Sequence, residues 1–349
     1  ILFLSIFYMT IFLIAEVTAI SILIKYISGT DLWITALIII FCSLTYTLYG
    51  GLRASIFTDN LQFIIIFLLL IICFSYLISF NSNDFNFNFI NNNKPNLLST
   101  FYIPNYTAGL TFFIAVAATN LFHQGNWQRV YAAKNNKVLK KSLIASFIII
   151  IPIVFMMGFS GLIASSQNTN LTADLAFFFL IFKEQTFVLS IIVLVLAISL
   201  TISSIDTLIN AISSLVVVDG NTIIKYKGNY LHLSKKIIVF LSIIAFFVAS
   251  KGLSILYLFL LADLFCCAAV LSVFYGFYTK SLNEKNIYIS ILIGLIGGLL
   301  LFPSPDFSKS LLIGIILPSD IVPSIITQSL LFSSFLVATF LPIISWRIK

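Results

Sequence analysis

The chain of 349 residues is 60% hydrophobic and only 9% charged, with a mean hydropathy of +1.11. Water-soluble globules carry about 45–50% apolar and about 25% charged residues, so this composition excludes one and specifies a protein embedded in a bilayer. The net charge of +7 is spread through short loops rather than gathered on one face; no nucleic-acid partner is expected, and the basic residues report topology instead.

A helix needs about 20 apolar residues to cross a membrane. Apolar runs between polar breaks predict ten spans, near residues 1–27, 32–50, 57–80, 107–127, 142–165, 187–218, 234–250, 253–279, 287–302 and 322–346. The fold class is therefore an all-α polytopic membrane protein with one transmembrane domain over 1–349. Barrel strands of alternating polarity are absent. Taking alternate loops as one side gathers fourteen of the 19 basic residues there, which makes that side cytoplasmic and sends the first span outward. The expected location is the plasma (inner) membrane. The opening Ile1-Leu2-Phe3-Leu4 has no charged leader or cleavage site and reads as a span already under way.

A carboxylate within a span costs roughly 2.5–3.5 kcal/mol on insertion scales, so each ionisable residue there is a functional candidate. In chain order these are Glu16, Asp59, His123, Asp206 and Asp263. Glu16 and Asp263 are single acids in apolar runs, equally suited to packing. Before Asp59, Gly50-Gly51 predicts a turn between spans two and three; Thr58 or Asp59 then serves either as a helix cap or as part of an ion path. The Asn-rich stretch 81–105 reads as a long connection. Span four closes on Asn120-Leu121-Phe122-His123-Gln124-Gly125-Asn126-Trp127-Gln128-Arg129. So many polar groups in succession predict a broken helix facing a cavity, with Gly125 at the break, whereas Trp127 and Arg129 suit an interfacial anchor. Residues 173–182 suit a short surface or re-entrant helix.

Span six carries the strongest pattern. Ser199, Ser203, Asp206, Asn210 and Ser213 recur at intervals of three or four, drawing one polar stripe down a helix face, with Ser204 and Thr207 alongside. Hydroxyls and carbonyls are hard oxygen donors suited to an alkali ion, and a single carboxylate is too few for a divalent one. The alternative is that small hydroxyl residues let helices pack closely. The four cysteines, Cys42, Cys73, Cys266 and Cys267, lie in apolar runs as small hydrophobes. No nucleophile with its base, catalytic carboxylate pair or metal cluster falls at usable spacing, so neither an enzyme nor an organic cofactor is expected.

Three stretches together resemble the sodium:solute symporter family, whose members include sodium-coupled sugar, proline, pantothenate and iodide carriers. They are Tyr49-Gly50-Gly51-Leu52 with Thr58-Asp59 and Gln62; Asn120-Leu121 with Gly125, Gln128-Arg129 and Ala132-Ala133-Lys134; and Ser203-Ser204 with Asp206, Leu208, Asn210 and Asp219. The resemblance implies a leucine-transporter-like bundle of inverted repeats, with 1–80 the remainder of the first repeat, 107–279 the second and 287–349 trailing helices. It also implies that core helices one and two lie upstream of residue 1. Sodium would be the coupling ion, held by Ser203, Ser204 and the Leu200 carbonyl, with Asp59 near the inner mouth.

The solute would be small and polar, met by Asn120, His123, Asp206 and Asn210. His123 stands where sugar carriers place a tyrosine. A charged imidazole beside the N-terminus of a half-helix favours an amino acid or organic acid over a sugar or urea. The implied function is sodium-coupled uptake by alternating access; the alternative is a transporter-like sensor that reports solute occupancy to a signalling domain.

Overall fold

The computed structural model describes residues 1–80, 85–167, 172–184, 186–223, 226, 228–278, 283–307, 309–310, 312–313 and 329–345. Among them every regular element is helical. The helices are α1 (Leu2–Ser28), α2 (Leu32–Phe80), α3 (Phe87–Asn93), α4 (Ile103–Phe122), α5 (Gln124–Ala132), α6 (Asn136–Gln167), α7 (Ala176–Ile181), α8 (Phe187–Ser214), α9 (Gly220–Ile223), α10 (Tyr230–Ala249), α11 (Ile255–Tyr278), α12 (Glu284–Leu301) and α13 (Leu330–Ser345). Eight helical stretches among the described residues are long and apolar enough to cross a membrane. The expected spans near 107–127 and 322–346 correspond to the more polar α4 and to the shorter α13, the latter flanked by residues outside the described set.

One expectation is overturned. Residues 32–80 form a single helix of 49 residues, so the backbone does not turn at Gly50-Gly51. Two glycines cost a helix only about 1 kcal/mol each against alanine. Apolar stretches at 32–49 and 55–79 flank the pair, and in lipid a helix satisfies its backbone groups internally. The penalty is small beside that requirement. At about 1.5 Å per residue the helix is about 74 Å long, and the alternation of loops that assumed a reversal here does not hold at this point. A true stop follows α1, where Gly29 takes φ +73° and its N–H reaches the Lys25 carbonyl.

The chain forms two compact units, one of residues 1–11, 101–123 and 257–349, the other of 12–100 and 124–256. In the second, α2 lies along α8 and α10, α5 and α10 also pack on α8, and α6 meets α3 and α7. Ile205, Leu208 and Ile209 of α8 are buried at its centre, whereas Phe147, Ile151 and Phe155 of α6 and Phe240 and Phe247 of α10 face outward. Exposed aromatic and aliphatic faces of this extent need an apolar surround, which lipid supplies. In the first unit α12 packs closely on α13, and α13 on α4. Gly294 and Gly298, four residues apart, make that approach: a Cβ on Gly298 would stand 2.8 Å from the Ala338 Cβ, and one on Gly294 2.8 Å from the Ala338 carbonyl. The Ser334 hydroxyl completes the contact by donating to the Gly298 carbonyl at 2.8 Å.

Candidate functional site

The polar stripe of α8 faces α2 and α5. Thr186 caps the N-terminus of α8 by accepting the Leu189 N–H, and helical periodicity then carries Ser203, Asp206, Thr207 and Asn210 around to the packed side. Asp206 is fully buried. Its carboxylate accepts from the Tyr46 hydroxyl at 2.6 Å and the Ser55 hydroxyl at 3.0 Å, with Thr58 further off at 3.4 Å. A carboxylate withdrawn from water needs such charge-assisted donors. Four helical turns of α2 thus converge on one atom group of α8.

Beside it, Asp59 of α2 is held from both sides. The Ser203 hydroxyl donates to one carboxylate oxygen at 2.7 Å, and the Arg129 guanidinium of α5 donates to the other at 2.5 Å. Arg129 also donates to Thr207 at 2.9 Å and to the Gly125 carbonyl of its own helix. This is the one ion pair among the described residues, with side chains 38% and 22% exposed. Arg129 is therefore no simple interfacial anchor, because its charge is directed inward at a carboxylate. One guanidinium, two carboxylates and a set of hydroxyls supply hard oxygen donors for an alkali cation, with Arg129 standing as a tethered cation among them.

The other expected residues of this unit fall nearby. Ser204 hydrogen-bonds Glu16 of α1. Leu200, 40% exposed, lines a cavity that also contains Glu16. The Asn210 carbonyl accepts from the Gln128 amide at 3.3 Å, and its own buried side-chain amide nitrogen makes no hydrogen bond. Sequence reasoning missed Tyr46, Ser55 and Glu16 as partners of this belt; only the three-residue spacing of Ser55 and Thr58 hinted at a shared face.

In the first unit the break falls at His123, which ends α4 with φ −73° and ψ 98°, and α5 begins at Gln124. Gly125 thus lies in the first turn of α5 rather than at the break. The imidazole ring meets the edge of Tyr8. Asn120 is exposed and donates to the Val116 carbonyl one turn back. Asp263 is buried and accepts from Thr119 at 2.6 Å, which gives that acid a packing partner.

A profile of the sodium:solute symporter family matches residues 2–294. The chain belongs to the sodium:solute symporter family. Its relatives include the spermidine transporter DUR31 of Candida albicans, 27% identical over 274 residues that cover 77% of this chain and 50% of that protein. The chain spans about half the length of that curated relative. A solved Na+-coupled sialic acid symporter, in a substrate-bound outward-open state, matches with a TM-score of 0.64 at 17% identity, covering 98% of this chain and 74% of that one. That likeness shows the fold, the leucine-transporter type expected from the resemblance. Both relatives are transporters rather than enzymes, and the sensor alternative draws no support from them.

Proposed function

We infer that the chain is the membrane-embedded part of a symporter that couples sodium entry to uptake of a small polar solute by alternating access. The observation that carries this reading is the meeting of Ser203 with Asp59 at 2.7 Å. These residues lie 144 positions apart, and each was assigned to the sodium path on separate grounds. In this proposal Leu200, Ser203, Ser204 and Asp59 serve the ion, while Asp206, Asn210, Asn120 and His123 serve the solute. The tie of Asp59 to Arg129 supports a route in which a mobile cation and a tethered one exchange places on the same carboxylate.

The start of α5 directly after His123 supports an amino acid or organic acid as solute, since a helix N-terminus stabilises negative charge. The relatives carry, by name, a polyamine and a sialic acid, so the family's fold accommodates more than one charge class. The test is uptake of radiolabelled solutes by the full-length protein in sealed vesicles. Accumulation should follow an inward sodium gradient and vanish when that gradient is collapsed. Uptake indifferent to sodium would overturn the reading.

A further inference from the structure

A closed cavity of about 230 Å³ lies within the second unit, against α1, α7, α8 and the first residue of α11. Glu16 and Asp174 both line it, and no Lys, Arg or His does. Asp174 is committed in part to capping α11, accepting the Ile255 and Leu256 N–H groups at 3.2 and 3.3 Å. Glu16 is partly buried, bonded to Ser204, and its charge faces no cation. A third polar group points the same way. Thr201 lines the cavity at 5% exposure, and its hydroxyl makes no hydrogen bond to a described residue. A buried hydroxyl left without a partner costs about 1–3 kcal/mol, so a helix that retains one beside an uncompensated carboxylate is prepared for a donor from outside the chain.

The rest of the lining decides what kind of cation. Ile20, Leu23, Phe178 and Ala197 make the walls apolar. A bare metal ion requires a shell of oxygens that these walls do not offer. An alkylammonium group fits both parts, with methylenes along the apolar wall and N–H donors toward Glu16 and Thr201, as lysine side chains do when they lie on apolar surface. We propose that this cavity is a binding subsite for the ammonium end of an alkylamine-bearing solute. The proposal deepens the transporter reading and rests on it: of the two solute classes named above, only one with an amino group is served.

The test is thermal unfolding of the purified full-length protein in sodium-free buffer, titrated separately with n-butylammonium chloride, butan-1-ol, sodium-free butanoate and, in a last arm, sodium chloride. The n-butylammonium ion should raise the midpoint saturably, and the alcohol and the carboxylate should not. Glu16→Gln keeps the bond to Ser204 while removing the charge, and should raise the half-saturating n-butylammonium concentration at least tenfold. Ala19→Leu fills the cavity without touching a carboxylate and should do the same, which covers the case of a poorly folded Glu16→Gln. An unchanged titration in both variants, or equal shifts with butan-1-ol, would overturn the subsite. A shift given by sodium alone and lost in Glu16→Gln would assign the cavity to the coupling ion and also overturn it. Because no gradient is applied, failure here is separate from failure of sodium-driven uptake.

Discussion

Arg129 and Asp59, on helices 70 positions apart in sequence, form an ion pair whose other carboxylate oxygen is taken by Ser203. The pair is partly exposed, and exposed pairs contribute about 0–1 kcal/mol to stability. Its weakness as a structural tie is what suits it to a path that must open. Asp59→Asn should lower the unfolding free energy by about 1 kcal/mol or less. On the proposed mechanism the same variant raises the sodium concentration for half-maximal uptake about tenfold, equivalent to about 1.4 kcal/mol. Arg129→Gln should act in the opposite sense on sodium, since the tethered competitor is gone. Sodium titrations of uptake in the two variants check both directions.

Asp206 is held differently, buried and met by hydroxyls instead of a cation. Hydrogen bonds to a charged group contribute about 1.5–3 kcal/mol. Tyr46→Phe should therefore destabilise the protein by about that amount, and Asp206→Ala should cost more because it strands the Tyr46 and Ser55 hydroxyls. Melting of purified variants in one detergent measures this. A neutral Tyr46→Phe would show that the carboxylate is satisfied without α2.

What the sequence made legible was periodic. The hydroxyl stripe of α8 and the acid at position 59 stood out because carboxylates and regular serines are anomalies in apolar runs. The broken helix near His123 was likewise visible as a cluster of polar residues. Hidden from sequence were the partners, since Tyr46 and Ser55 look like ordinary span residues until α2 packs along α8. Arg129 looked like an anchor because its position near a span end suits one, and only the packing of α5 on α8 turns it toward Asp59. Gly50-Gly51 misled for a different reason: glycine permits a turn without requiring one, and the flanking helices overrode it.

The close approach of α12 and α13 depends on the absence of side chains. Gly298→Leu should destabilise the protein by about 1–3 kcal/mol through overpacking against Ala338 and Ser334. Gly158→Ala in α6 is the control, because a Cβ there meets nothing within 4 Å. That change should be neutral or stabilising by about 0.5–1 kcal/mol. Equal losses in both variants would show that backbone flexibility, and not contact, is what these glycines provide.

Buried Asp263 provides the matching test in the first unit. Its contact with Thr119 spans 144 positions at 2.6 Å, so Thr119→Val should cost about 1.5–3 kcal/mol by removing a donor to a charged acceptor. Sodium dependence of uptake should be unaffected, since neither residue belongs to the proposed ion path. Melting and uptake measured on the same preparation separate the two roles.

The most direct measurement is the sodium dependence of solute uptake in the full-length protein carrying Ser203→Ala and Ser204→Ala together. Removing both hydroxyls takes away one partner of Asp59 and one of Glu16. The account predicts that the sodium concentration for half-maximal uptake rises at least tenfold while the protein inserts and melts within about 2 kcal/mol of the wild type. Uptake that retains the wild-type sodium dependence in this double variant would contradict it.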